Sequence, residues 1–355
     1  MIPYVILCLV PVVLGLGYTY YNETYRTEDK FKRLVIFLMW AMLFLMIALR
    51  SRFVGSADSY KYCETFKTLS KVSWAKVSDY SVFTGMEVVF CYATWILAQV
   101  FSDPQWLFVA TGLLFSLSVC RFIYKHCEDM ILAYVMFVTL GLYTFMVQGM
   151  RQAIAMSIIL FAIDFCARRK FIFFALTVLL ASAFHKSAII FFPVYFIYGL
   201  TIRKSTVLLF ILGTGVIMAC APLLIQLGNE VFGREYSEVF ESGGFIAVAI
   251  YALILLTTLL FGAQRYQDKD YAFYFFMTFI GAVFYVMRYT GVDVAERISY
   301  YFLFGQMYLL PATLNRVVKR ERWVFKGLVY ALCIGLFLYR LSGSNLIPFR
   351  FFWQE

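Results

Sequence analysis

Apolar runs of about 17–20 residues, each long enough to cross a bilayer as a helix, recur along the whole chain. Candidate spans fall at roughly 2–21, 34–49, 86–101, 104–121, 131–147, 151–167, 171–184, 187–200, 206–224, 244–262, 272–287, 298–314 and 323–339. Hydrocarbon offers the backbone no hydrogen-bond partner, so only helices or closed barrels span it. No strand-like alternation argues for a barrel. The chain therefore reads as an all-α integral membrane protein, a polytopic bundle of about 12–13 transmembrane helices. It is expected to form a single polytopic domain, residues 1–355, with larger extracytoplasmic loops at 50–82 and 225–243. Composition agrees: 63% of the 355 residues are hydrophobic and 15% charged, against about half and about a quarter in soluble domains. Ile2–Tyr21 ends in no small-residue cleavage motif and reads as a retained span.

Charge sets the expected orientation. Lys/Arg-rich loops mark the cytoplasmic side: Arg168-Arg169-Lys170, Arg203-Lys204, Arg265 with Lys269, and the run from Arg316 to Lys326. Arg151, His185-Lys186, the acidic 225–243 loop and the segment 288–297 alternate with these and face outward. The N-terminal part conflicts. Arg26, Lys30, Lys32 and Arg33 place the first loop inside and 50–82 outside, and the following candidate spans then carry 168–170 outside too. Either a candidate within 86–147 is re-entrant or a half-helix, or the first loop is external. Cys63, Phe66, Leu69 and Val72 recur at three-residue steps, so 61–79 is expected as an amphipathic helix on the membrane surface.

The net charge of +10 fits cytoplasmic anchoring and anionic headgroups. No basic-aromatic soluble domain exists, so nucleic acid is excluded as a partner. Eight cysteines are scattered without C-x-x-C spacing, which supports neither a disulfide framework nor a zinc site. Cys63 and Cys127 lie in polar loops and are unassigned. No internal repeat is apparent, which argues against a transporter built from repeated halves.

Charged groups at span ends carry the candidate chemistry, because charge inside lipid costs about 2.5–3.5 kcal/mol per group on insertion scales. Arg50 and Arg52 end the second span and are followed by Gly55, Asp58 and Tyr62. Arginine suits phosphate because its fork is planar and bidentate; a snorkelling anchor in the aromatic belt is the bland alternative. Arg151-Gln152 opens a span, either as an anchor or lining a polar cavity. His185-Lys186 ends the next, and a neutral imidazole can act as a base near pH 7. No second histidine stands at metal spacing, so no metal site is expected. Arg288 ends one span, Glu296-Arg297 opens another, and Tyr301 follows. On this topology Arg50, Arg52, Arg151, Lys186, Arg288 and Arg297 would form an outward basic bowl at headgroup level, suited to a lipid-linked diphosphate. Asp58, Glu296 and His185 supply candidate bases. Asp164 reads as a helix-packing polar residue.

At these residues the chain resembles the EpsG/Wzy-type family of membrane polysaccharide polymerases. The resemblance rests on Arg52-x-x-Gly55-x-x-Asp58-x-Tyr60-x-Tyr62, Arg151-Gln152-Ala153-Ile154-Ala155, Phe184-His185-Lys186-Ser187-Ala188, and Arg297 with Tyr301. The first piece has one residue more than the family's usual Gly-Thr-Asp-Tyr. The resemblance implies a multi-pass enzyme of the bacterial inner membrane, with a GT-C-like outward polar cavity. Its substrate would be an oligosaccharide repeat unit on undecaprenyl pyrophosphate, polymerised toward the periplasm or exterior, as for O-antigen or capsule. Arg151, Arg52 and Arg297 would hold the diphosphate, helped by Arg50, Tyr62, Gln152, Lys186, Arg288 and Tyr301. Asp58, ahead of His185 and Glu296, would be the base. No cofactor is called for, and a chain-length regulator protein is a possible partner. The rival readings are a ligase or other transferase using the same lipid carrier, and a transporter of the lipid-linked sugar.

Overall fold

The apolar runs singled out above fall mainly on helical chain among the described residues. No strand forms among the described residues, where the extended pairing is an isolated bridge between Arg50 and Phe351. The computed structural model describes residues 1–25, 28–55, 57–220, 223, 244–290, 293–315 and 319–354. The expected 225–243 loop lies outside the described residues, as do Arg26 and Arg316. In chain order the helices are α1 (Ile2–Tyr25), α2 (Glu28–Ala48), α3 (Ala57–Leu69), α4 (Val77–Thr84), α5 (Val88–Val100), α6 (Gln105–His126), α7 (Met130–Thr139), α8 (Leu142–Gln148) and α9 (Met150–Ala167). They continue with α10 (Phe171–Phe184), α11 (Val194–Ile197), α12 (Lys204–Ala219), α13 (Phe245–Phe261), α14 (Lys269–Met287), α15 (Asp293–Phe302), α16 (Gly305–Leu314) and α17 (Lys319–Ser342).

Five helices are individually long and apolar enough to span a bilayer: Lys30–Ala48 of α2, then α6, α9, α14 and Val324–Ser342 of α17. α7 and α8 together pass the same test across a 53° bend. The bend falls at Gly141, whose φ of 100° is a left-handed conformation that favours glycine. Burial ranks the spans. The most apolar window of α9 is 67% buried and that of α17 only 17%, so α9 is central and α17 faces lipid along most of its length.

Polar side chains collect at two ends of the bundle. At one end Asp164, near the close of α9, accepts from Arg121, from Lys125 Nζ at 2.5 Å and from His126 Nε2 at 2.8 Å. Arg265 bridges Glu128 and Asp268, and Lys326 Nζ reaches Asp129 Oδ2 at 2.5 Å. At the other end, about 20 Å up α9 from Asp164 at 1.5 Å per residue, stands Arg151. Here Arg50 is 2% exposed and donates to the Val54 carbonyl at 2.5 Å and Ser59 Oγ at 3.1 Å. The C-terminal segment clips onto the same loop, with Ser51 N donating to Arg350 O at 2.8 Å and Gly55 N to Asn345 O at 3.0 Å. Gly55 has φ 104°, and an added Cβ would lie 3.5 Å from the Arg50 guanidinium. Arg50 is therefore committed to holding its own loop.

The two rims resolve the conflict in the N-terminal charges. Lys32, near the start of α2, lies over the Tyr124 ring at the end of α6, 4.9 Å away. Gln105, which opens α6, donates to the carbonyls of Ala48 and Arg50 at 2.7 and 3.0 Å. α2 and α6 are thus antiparallel, and the 50–82 segment shares a rim with Arg151. α5 starts beside Arg151, through Glu87, and is followed directly by α6 on that same rim, where Phe101 stacks on Trp106. Its 13 residues make about 20 Å of helix, short of the roughly 30 Å hydrocarbon core. The 86–101 candidate is therefore no crossing; both of its ends stay at one rim.

The 187–200 candidate also departs from expectation. It is a 3-10 helix, Lys186–Phe191, followed by the single turn α11. Pro193 has no N–H to continue a ladder. The steeper rise of a 3-10 helix, about 2.0 Å per residue, still carries the chain across, for the carbonyls of Tyr195 and Tyr198 accept from Arg169 at the far rim. The 298–314 candidate is broken between Phe302 and Gly305. The surface helix expected over 61–79 stops at Leu69, with its Cys63, Phe66 and Leu69 stripe buried as the spacing requires. Cys127 is likewise buried. Reporter fusions after residues 65 and 168 are expected to report opposite compartments; a shared compartment would overturn this arrangement.

Candidate functional site

A carboxylate that sequence reasoning did not single out organises the Arg151 rim. α4 ends at Gly85, where the chain turns with φ 64°, and Ser81 Oγ donates to the Met86 carbonyl at 2.6 Å. The turn brings Glu87 to the head of α5, just before the apolar run Val88–Val100. That run packs inward, with Phe90 edge-on to Tyr62 at 5.5 Å. The Glu87 side chain, 9% exposed, takes three partners. Arg151 of α9 pairs with Oε2; His185 Nδ1 lies 3.1 Å from Oε1; the Lys186 backbone N–H donates to Oε1 at 3.4 Å. Arg151 Nε also donates to Tyr62 Oη at 3.3 Å. One carboxylate thus ties α5 to the start of α9 and the end of α10.

Electrostatics follow from that geometry. Burial by itself raises the Glu87 pKa, but the His185 hydrogen bond and the Arg151 charge outweigh it and hold the carboxyl at about 2, against an ordinary 4.5. Burial also pushes the Tyr62 phenol above its ordinary range. The depressed Glu87 value has a definite sign for stability. Its contribution is fully present above about pH 4.5 and is lost as pH falls toward about 2. Melting temperature in detergent is therefore expected to drop across that acid window, and Glu87→Gln to remove that part of the drop. An unchanged acid limb in Glu87→Gln would separate the pair from stability.

His185 and Lys186 open onto a cavity of about 230 Å³, lined also by Gly85, Glu87, Ser187 and Arg297. With a neutral imidazole, ionised Glu87 accepts from Nδ1–H and leaves Nε2 as the acceptor. Arg151 balances the Glu87 charge. Lys186 and Arg297 are exposed, and neither has an acidic partner among the described residues. The cavity therefore combines an oriented imidazole with two cations available to an anion.

α15 sorts the remaining candidates by face. Arg297 and Tyr301, one turn apart, lie on the cavity side, where Tyr301 Oη is 3.2 Å from Ser187 Oγ. Gln152, buried beside them, donates to the Arg297 carbonyl at 2.6 Å and ties α9 to α15. On the other face Glu296 pairs with Arg288 at 2.7 Å and accepts from Tyr300 Oη at 3.1 Å. Arg288 and Glu296 thus satisfy each other away from the imidazole. Asp58 is 46% exposed and pairs with Lys61 at 3.7 Å, one helical turn before Tyr62. The Arg52 guanidinium lies over the Phe53 ring at 5.1 Å. The expected single bowl is therefore three groups on one rim: the Arg50 loop, the Glu87 cluster and the Arg288–Glu296 pair.

Arg151, His185, Lys186, Arg297, Tyr301, Gln152 and Tyr62 lie together around the Glu87 cluster and the cavity beside it. Glu87 is hard to single out from sequence because it opens a run with the apolar length of an ordinary span. The available signal was a lone carboxylate heading an apolar helix, where the helix dipole favours negative charge.

Comparison with known proteins agrees with the motifs. The EPS I polysaccharide export inner membrane protein EpsF of Ralstonia solanacearum is 30% identical over 150 residues, 41% of this chain. The match spans 33% of that relative's length. No solved structure matches the chain. The EpsG family model matches residues 33–351. The resemblance read from Arg151-Gln152-Ala153 and Phe184-His185-Lys186-Ser187 thus extends over almost the whole sequence, and this multi-pass, exopolysaccharide-related membrane protein belongs to the EpsG family.

Proposed function

We propose that this protein is a glycosyltransferase that polymerises oligosaccharide repeat units carried on undecaprenyl pyrophosphate, as O-antigen or capsular polymerases do. The observation that supports this reading is the shared cavity of His185, held by Glu87, with Lys186 and Arg297. A hydroxyl of the incoming unit attacks the anomeric carbon of the growing chain. His185 Nε2 takes the hydroxyl proton as the new C–O bond forms. The bond between the anomeric carbon and the pyrophosphate oxygen breaks, and the electron pair leaves with the diphosphate. Lys186 and Arg297 stabilise that charge. Arg151 acts through Glu87 as a positioning residue. His185 takes the role of base that the sequence reading offered first to Asp58.

Lys/Arg bias assigns the Asp164 rim, with Arg168-Arg169-Lys170 and Arg203-Lys204, to the cytoplasm. The cavity then opens to the periplasmic side of a bacterial inner membrane. A ladder of products is expected when the purified protein receives a lipid-linked repeat unit alone. A protein that moves the intact lipid-linked unit across vesicles without extending it would instead be a transporter; the Ralstonia protein is named for polysaccharide export.

A further inference from the structure

A second cavity, of about 420 Å³, lies deeper than the first and is lined almost wholly by apolar side chains. Its walls include Pro193 and Ile197, Phe210 and Gly213 of α12, Ile280 of α14, and Phe302 of α15. The one hydroxyl on its wall, Thr214, is satisfied within its own helix by the Phe210 carbonyl at 2.8 Å. The groove therefore presents no polar group that asks for water or a sugar.

Two segments line both cavities. The stretch from Lys186 puts Lys186, Ser187 and Ile190 on the polar cavity, then Ile190, Pro193 and Ile197 on the apolar one. α15 puts Arg297 and Ile298 on the polar cavity and Phe302, just over a turn further on, on the apolar one. Both segments run from the Glu87 rim into the bundle. A molecule occupying both cavities would thus have an anionic head at Lys186 and Arg297 and an apolar tail descending toward Phe302 and Gly213. We propose that this groove holds the first isoprenoid units of the polyprenyl tail of the carrier lipid. The inference rests on the reading of the polar cavity as a diphosphate site.

The two cavities adjoin at Ile190, which lines both, and the proposed ligand has a single chain to place beyond that wall. A polyprenyl phosphate has one chain on its phosphate; a bilayer phospholipid has two. Hydrophobic transfer gives no preference here, since surrounding lipid is as apolar as the groove. The attraction is local instead: a head held by two cations keeps its own tail at high effective concentration beside the groove.

The test uses the full chain in phosphatidylcholine vesicles with a long-chain polyprenyl diphosphate bearing a photoreactive diazirine in its third isoprenoid unit. Label is expected on α12 and α14, displaced by excess unlabelled polyprenyl diphosphate and not by phosphatidylglycerol. Equal displacement by phosphatidylglycerol, or equal label on α2 and α17, would overturn the assignment. A Cβ at Gly213 meets no atom within 4 Å, so Gly213→Trp fills the groove without a backbone clash. It is expected to lower labelling at least tenfold. It should also raise KM for a long-tailed donor at least tenfold, and leave KM for a donor whose diphosphate carries only a methyl group in place of the tail within twofold. Ile217→Trp, on the same wall, serves if Gly213→Trp does not insert. An equal rise for both donors would refute the groove. Photolabelling needs no turnover, so a protein that labels as expected but extends no chain would keep the groove and lose the polymerase reading.

Discussion

Glu87→Ala is expected to abolish chain extension and to lower the stability of the solubilised protein by about 3–5 kcal/mol, the usual cost of stripping one partner from a buried ion pair. The substitution leaves the Arg151 guanidinium in an enclosed place without its carboxylate, and frees the His185 ring to rotate. Glu87→Gln separates the two losses. An amide keeps the shape and offers a carbonyl to Nδ1–H, so most of the protein should insert, while the charge that fixes Arg151 and the imidazole is gone. Extension in Glu87→Gln is expected to fall about 10–100-fold, the size of effect that partners orienting metal-bound histidines have. Pairing Glu87→Gln with Arg151→Met gives a double-mutant cycle. The two effects should be strongly non-additive, because each residue is the other's counter-charge. Membrane abundance, melting temperature and the ladder of lipid-linked products are the measurements. A normal ladder from Glu87→Ala protein would remove the carboxylate from the site.

His185→Ala is expected to leave the protein inserted and to slow extension by about 10²–10⁴-fold, the range that general acid–base catalysis contributes. Among the described residues its imidazole makes one side-chain hydrogen bond, to Glu87 at 3.1 Å, so little of the fold depends on it. Free imidazole added to His185→Ala is expected to restore part of the rate, an outcome that a purely structural role would not produce. Asp58→Ala provides the contrast. Its half-exposed pair with Lys61 is worth about 0–1 kcal/mol at most, and the expected loss of rate is under tenfold. If Asp58→Ala proves the more damaging of the two, the proton goes to α3 and not to the imidazole.

The position of α5 at the rim is what brings Glu87 to Arg151 and His185. Apolar length identified the segments: the runs at 34–49, 104–121, 151–167 and 272–287 all fall in helices that pass as spans on length and hydropathy. Apolar length did not say which segments cross, because a 13-residue apolar helix is equally content packed on Tyr62 and Phe108 at a rim. Lys/Arg bias detected the inconsistency without locating it. The same applies to the cations. Their place at span ends was legible from order along the chain, and it put Arg151, His185 and Arg297 at one level. Which of them share a cavity depends on helix rotation. α15 turns Arg297 and Tyr301 one way and Glu296 and Tyr300 the other, and neighbouring residues in the chain give no hint of which face meets α9.

Apolar run length and the lack of strand-like alternation fix the solvent of this protein and its helical class, because hydrocarbon admits only helices or closed barrels, and the motifs around Arg151 and His185 are legible in the chain without any structure. Helix packing alone settles that Glu87 is the anchor, that Arg50 holds its own loop, and that an apolar cavity adjoins the charged one at Ile190. Those are matters of which side chains, tens of residues apart, arrive at the same few ångströms, and that is set by how the helices pack.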